Sequence, residues 1–223
     1  MASAVDICNL ALSHLGDSAT ISSIDPPEGS AQAEHCQRFY PLARNSLFEM
    51  HNWGFATKRA SMALIGTNTI PQWAYTYVQP IDAVNLLAVY AQYAPDDYSE
   101  PFPMAYTQTG VTNTGQGLYT PQPFTSESLN DGTAVIYTNV ENAILRYTGI
   151  VTDSSKYSPL FCDCLSWLLA SYLAGAIIKG DAGAAEAKRC YQMFQVGFTR
   201  ATVSDANQRR TTVQMSTPWM AGR

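Results

Sequence analysis

The residues able to do chemistry are few and lie far apart in the chain. Three histidines, His14, His35 and His51, stand on or at the ends of segments with helical periodicity. A general base needs a proton donor within hydrogen-bond reach and a cleft for its substrate. None of the three belongs to a GxSxG or HExxH pattern, so each is expected at the surface or at a helix end. The five cysteines are Cys8, Cys36, Cys162, Cys164 and Cys190, an odd set without a CxxC or zinc spacing. Cys162 and Cys164 would leave a helix in different directions, which argues against a shared metal. The set reads as reduced thiols acting as small apolar residues. Asp96-Asp97-Tyr98-Ser99-Glu100 offers oxygens of the kind a divalent cation takes, yet a solvated loop is the stronger reading. Gly110 to Gly117, GVTNTGQG, lacks the lysine of a phosphate-binding loop and reads as a hairpin turn. A glycosidase would need two carboxylates about 5–10 Å apart in a cleft, and no spacing selects such a pair. Catalysis, a cofactor and a metal ion are not expected.

Charge is the more informative property. The chain has 223 residues, of which 14% are charged and 46% hydrophobic, with 13 Lys and Arg against 18 Asp and Glu for a net −5. An average soluble protein carries roughly 25% charged residues. A surface this poor in charge favours association over a lone monomer. A net negative chain does not fit a protein that grips nucleic acid by neutralising phosphates. The charges are also sorted along the sequence. From Ala60 to Leu145 there is no Lys or Arg, while Asp82, Asp96, Asp97, Glu100, Glu127, Asp131 and Glu141 all fall in that stretch. The last part of the chain, from Arg146, carries 9 basic and 5 acidic residues.

The elements that must position these residues follow from periodicity. A first helix is expected from about Ala4 to Leu15, opened by Ser3 and Asp6 as a capping box and closed by Gly16. A second spans about Ser30 to Met50 with Cys36, Phe39, Ala43, Leu47 and Met50 as its apolar stripe. Pro41 should kink or interrupt it. From Ala60 the period becomes two. Short strands are expected at 61–65, 73–78, 86–90, 104–107, 118–120, 134–138 and 143–147. Trp73, Tyr75 and Tyr77 should share one face, and Trp53, Phe55 and Trp73 should be buried where helical and β parts meet. Ser158-Pro159 then opens a third helix, Gly180 ends it, and Asp181 starts a fourth with Tyr191, Phe194, Phe198 and Ala201 on one stripe.

Leu160 to Ile178 is apolar enough and long enough to raise a membrane span. Asp163, Ser166 and Ser171 within it, and the missing basic flank, favour a buried core helix. No basic and apolar leader precedes the first helix, so no signal peptide is expected. Beyond Ser204 the sequence is polar, with Arg209-Arg210 and Trp219, and would be disordered as a free tail. The expected fold class is therefore α+β. It is an antiparallel helical bundle built from N- and C-terminal helices, with a central β-rich insertion and an extended C-terminal tail. The expected boundaries are 1–59 and 151–203 for the bundle, 60–150 for the β insertion and 204–223 for the tail.

Four blocks of sequence, in order, resemble the head–tail adaptor (connector) family of tailed phages, which includes the tail tubular protein A of podoviruses. The opening DICNLALSHLGDSATISSID resembles the family's first helix through Ile7, Asn9, Ala11, Leu12 and Gly16. HCQRFYPLARNSLFEMHNWGFATKRASMAL carries Tyr40, Ala43, Arg44, Leu47, His51, Trp53, Phe55 and Ala56 at the family's positions. WAYTYVQPIDAV is similar through Trp73, Tyr75, Tyr77, Pro80 and Asp82, and AILRYTGIVTDSSKYSPLFCDCLSWLLASYLA through its apolar pattern. Val78-Gln79 departs from the pattern, and 91–131 and the tail lie outside the resemblance. The resemblance implies a structural virion protein of the neck, assembled in the host cytoplasm, that forms a ring of roughly twelve copies. Such a ring docks under the portal protein ring and joins it to the nozzle or next tail component. DNA passes through it without specific binding. A C-terminal arm reaching the portal would use Arg209, Arg210, Met215 and Trp219, residue types that anchor interfaces. Carboxylates lining the lumen would repel DNA phosphates, which makes Asp82, Asp96, Asp97, Glu100, Glu127, Asp131 and Glu141 candidates to face the channel. The alternatives are a virion-associated cell-wall glycosidase and a small membrane-anchored protein.

Overall fold

A computed structural model describes residues 2–18, 20–67, 72–91 and 122–208. The strands expected at 104–107 and 118–120 lie outside these residues. Among the described residues are four α-helices and two antiparallel sheets. They divide into a helical unit, made of the chain up to Ala56 and again from Gly149, and a β unit spanning Thr57–Thr148.

The helical unit begins with α1 (Ala4–His14). Ser3 Oγ accepts from the Asp6 backbone N–H at 3.1 Å while Ser3 N–H donates to Asp6 Oδ2 at 2.8 Å, the reciprocal cap that their spacing implies. Gly16 follows with φ +75°, a left-handed position that suits glycine at a helix end. α2 (Ala31–Met50) runs unbroken through Pro41, so the expected interruption does not occur. The reason is local. Pro41 and Gln37, whose carbonyl loses its partner to the proline ring, both face outward, where water can satisfy that oxygen. The buried stripe of α2 is Ala33, Cys36, Tyr40, Ala43, Leu47 and Phe48. Phe39 is only half-buried and Met50 is exposed, so the face is rotated from the one expected.

Ser158 caps α3 (Pro159–Ile177), accepting from Phe161 N–H at 3.2 Å, and Pro159 occupies the first turn. The chain then reverses at Lys179, φ +59°, and Gly180 opens α4 (Gly180–Asn207) instead of ending α3. α3 and α4 fold back on each other, and α1 and α2 both pack on α3. That central position accounts for α3's composition. Leu165, Leu168, Leu169 and Leu173 are fully buried, and so are Cys164 and Ser166. α3 is long and apolar enough to cross a membrane, but more than half of its apolar window is buried inside the helical unit. α4 instead buries a narrow seam of Gly183, Cys190, Phe194, Ala201 and Asp205. Tyr191, expected on the seam, is exposed, and Phe198 is half-buried. α4 also runs past Ser204, where the helical pattern was expected to stop.

The β unit holds two sheets. One has the order β1–β7–β4, from Thr57–Ser61, Ile144–Gly149 and Ala83–Tyr90; the other has the order β2–β3–β6–β5, from Leu64–Thr67, Tyr75–Val78, Ala134–Thr138 and Phe124–Ser128. β1 pairs with β7 from Thr57↔Thr148 to Ser61↔Ile144, and β3 with β6 from Tyr75↔Thr138 to Val78↔Val135. Met62, Tyr77, Val89, Ile136, Leu145 and Tyr147 cluster as the core of this unit. Tyr75 and Tyr77 do share a face, their rings 6.3 Å apart, and Tyr77 Oη donates to the Val140 carbonyl at 2.8 Å. Thr76 between them is buried as well, so both faces of β3 are covered. β1 and β5 were not expected. Both are edge strands rich in polar residues, TKRAS and FTSES, and edges tolerate charge.

Candidate functional site

The arm residues Arg209, Arg210, Met215 and Trp219 lie outside the described residues, and so do Asp96, Asp97 and Glu100 of the acidic set. The remaining four acids belong to the β unit. Because β3 and β6 run antiparallel with Val78 opposite Val135, the segment leaving β3 and the turn entering β6 lie at the same end of that sheet. The first carries Asp82 and the second Asp131. Glu127 on β5 is opposite Val135 and belongs to that end too. Glu141 follows β6 and stands at the other end. The structure thus brings three of the four acids to one sheet end and leaves Glu141 apart.

Their chemistry differs. Glu127, Asp131 and Glu141 are exposed. Asp131 is fixed by the β5–β6 turn, where Oδ1 accepts from Thr133 N–H at 2.9 Å and Gly132 takes φ +85°. That backbone bond, with the Thr133 hydroxyl, holds the Asp131 carboxyl below its usual range. Asp82 is compensated. Lys58 Nζ lies 2.6 Å from Oδ2, and Tyr147 Oη donates to Oδ1 at 3.0 Å. Partial burial works against the charge on Asp82, but Lys58 and Tyr147 outweigh it and hold the carboxyl below its usual range. An acid paired this closely contributes little field to solution. The partners could not be found from sequence, since Lys58 lies on an unexpected strand.

Two polar constellations of the helical unit also escaped the sequence. Asp205, near the end of α4, is buried and accepts from Gly54 N–H at 2.9 Å, while His51 Nε2 lies 3.1 Å from its other oxygen. It ties the end of α4 to the turn after α2. His14 lies flat on Trp167, ring centroids 3.6 Å apart and planes within 8°. Ser166 Oγ donates to the Asp163 carbonyl at 2.7 Å, so it accepts from His14 Nε2–H at 3.0 Å. Arg189 donates to the His14 carbonyl at 2.9 Å, pairs with Glu186, and sits 5.7 Å from the Trp167 ring centre. Burial lowers the His14 pKa, with Asp163 raising it and Arg189 lowering it further. The signal for such a site would have been a helix-end histidine facing a tryptophan two helices away, which no local pattern encodes.

The helical unit has a cavity of about 950 Å³ lined by Leu10, Phe55, Tyr157, Pro159, Cys162 and Asp163, among others. A second of about 350 Å³ is lined by Phe55, Pro159, Leu160, Ala201 and Asp205, among others. Each has a single carboxylate, short of the two a glycosidase uses. The five thiols are free and buried, and burial raises the pKa of Cys164 to about 12, which makes it a poor nucleophile. Among the described residues no group of three His, Cys, Asp or Glu gathers to hold a metal ion. No family model matches the chain, and no curated protein matches it significantly.

Proposed function

We propose that the chain is a structural virion protein, a head–tail adaptor whose copies form a ring under the portal and join it to the tail. The observation that carries this reading is the ordered set of resembling blocks, which fall on successive elements. The first two cover α1, α2 and the turn at Gly54, the third β3 and Asp82, and the fourth β7 and α3. Charge supports it. Between Thr57 and Thr148 the only bases in the sequence are Lys58, Arg59 and Arg146, all on the paired strands β1 and β7. The rest of that stretch is acidic or neutral, as suits a wall that DNA must slide past without binding. In this reading the ring needs no catalytic residue. Arg209, Arg210 and Trp219 of the C-terminal arm supply anchoring contacts to the portal.

Mass photometry of the portal ring mixed with this protein tests the proposal. The expected result is a complex with about one adaptor per portal subunit, lost when residues 209–223 are removed. The truncation belongs after Gln208, because a deletion from Ser204 would also remove the Asp205 anchor. No association between portal and full-length chain would overturn the adaptor reading.

A further inference from the structure

The larger cavity of the helical unit, about 950 Å³, has the size and the lining of a ligand site. Small-molecule pockets occupy roughly 300–1,000 Å³ and combine apolar walls with a few polar groups. Three separate segments build this one. α1 brings Leu10, the turn after α2 brings Phe55, and the entry to α3 brings Tyr157, Pro159, Cys162 and Asp163. Leu10 is 41% exposed, an apolar side chain that its own unit leaves partly uncovered. The rings of Phe55 and Tyr157 lie 5.9 Å apart, tilted by 49°.

Asp163 gives this cavity its chemistry. It is half-buried, and its backbone carbonyl accepts from Ser166, but among the described residues its carboxylate has no hydrogen-bond or ion-pair partner. Gly197 of α4, close to Oδ2, has no side chain to donate. His14 is near enough to feel the charge, yet its Nε2–H goes to Ser166. A carboxylate drawn partly out of water without a donor is costly. Two cations stand near the cavity, and each acts on an acid of its own. Lys156 is 65% exposed, with Nζ 3.9 Å from Asp153 Oδ2, and the amino-terminal charge acts on Asp6 as well as on Cys162. Asp163 is the acid left over. We infer that the cavity binds a small amphipathic amine, its apolar body beside Phe55 and Tyr157 and its ammonium donating to the Asp163 carboxylate. Charge complementarity selects the ammonium over an alcohol or an acid. The site lies wholly within the helical unit and does not depend on the adaptor reading.

Three compounds with the same ring and chain test the assignment on the full chain: 4-phenylbutylamine, 4-phenylbutanol and 4-phenylbutyrate. Cys162 is the reporter, because it lines the cavity and is 9% exposed while the other four thiols are 0% exposed. A bound compound should slow its alkylation by iodoacetamide, read by mass spectrometry of the peptide that carries it. The amine should protect at a concentration about tenfold below that of the alcohol, the ratio one charge-assisted hydrogen bond gives. The acid should protect least. Asp163→Asn should bring the amine to the alcohol's value and leave the alcohol unchanged. Leu10→Trp, which fills the cavity from a partly exposed position, should remove protection by all three. Equal protection by amine and alcohol in the parent chain would overturn the inference, since water would then satisfy Asp163 as well as an amine does. No protection by any of the three at several millimolar would overturn the site itself.

Discussion

Replacing Trp53 with alanine should be the most damaging single truncation in the helical unit, and its cost can be built from the geometry. The indole is 1% exposed. Its ring centre lies 5.0 Å from Phe161 and 6.2 Å from Phe198, and both rings stand nearly edge-on to it. Removing a fully buried tryptophan costs about 3–5 kcal/mol through lost burial and the cavity left behind. A second contribution comes from Nε1–H, which donates to the Leu47 carbonyl at 2.9 Å. Leu47 lies in the last turn of α2, where carbonyls have no intrahelical donor. Trp53 therefore caps α2 as well as filling its surroundings, and losing that bond adds about 1 kcal/mol. The expected total is about 4–6 kcal/mol for Trp53→Ala, and about 2 kcal/mol for Trp53→Phe, which keeps a ring and loses the cap.

Urea titration followed by circular dichroism at the helical signal would measure both variants. In a chain of this size 4 kcal/mol corresponds to a fall of roughly 8–16 °C in melting temperature. The two variants also separate burial from capping. A loss below about 1 kcal/mol for Trp53→Ala would refute its place in the core. Equal losses for Phe and Ala would refute the share assigned to packing.

Two glycines on facing turns should respond with opposite signs. A Cβ on Gly183 would lie 3.1 Å from the Ala174 carbonyl oxygen, so Gly183→Leu should cost about 2–3 kcal/mol in a thermal melt. Gly175, within α3, has open space there, and Gly175→Ala should stabilise by about 0.5–1 kcal/mol through helix propensity. A neutral Gly183→Leu would mean that α3 and α4 do not approach so closely. His14 should add a pH dependence. Its folded pKa lies below the ordinary 6.5 because burial disfavours the imidazolium. Below pH 6.5 the unfolded chain therefore takes up the proton first. The contribution is complete above 6.5 and is lost as pH falls through the folded value. Melting temperatures between pH 7.5 and 5.5 should drop less for His14→Phe than for the parent. Identical slopes would show that His14 is not held neutral by its surroundings.

What could be read from sequence was what local physics decides. The Ser3–Asp6 cap, the Ser158-Pro159 start and the change of period near Ala60 each depend on a few neighbouring residues, and each is present. The misplacements share a different cause. The faces of α2 and α4 are set by what α3 presents to them, so Met50 and Tyr191 turned outward and Phe39 is only half-buried although their spacing fitted a core stripe. β1 and β5 carry almost no apolar alternation, because an edge strand needs a partner's hydrogen bonds more than a buried face. Pro41 was tolerated because the carbonyl it orphans faces water, and exposure of one carbonyl cannot be read from composition.

The acidic stretch shows why placement matters more than a count. By sequence alone every carboxylate between Ala60 and Leu145 contributes equally to a repulsive wall. In the fold Asp82 is joined to Lys58, and the pair presents little net charge to a phosphate. Repulsion in the described part of the β unit therefore falls to Glu127 and Asp131 at one sheet end and Glu141 at the other. Charges act over about 8–10 Å at physiological salt. A phosphate passing one end of the sheet feels only the acids of that end. If DNA slides past this unit, the Glu127–Asp131 end has two uncompensated carboxylates to keep it off, and the opposite end has Glu141. The first is the better wall, and in the ring proposed above its repetition would multiply two modest charges per copy.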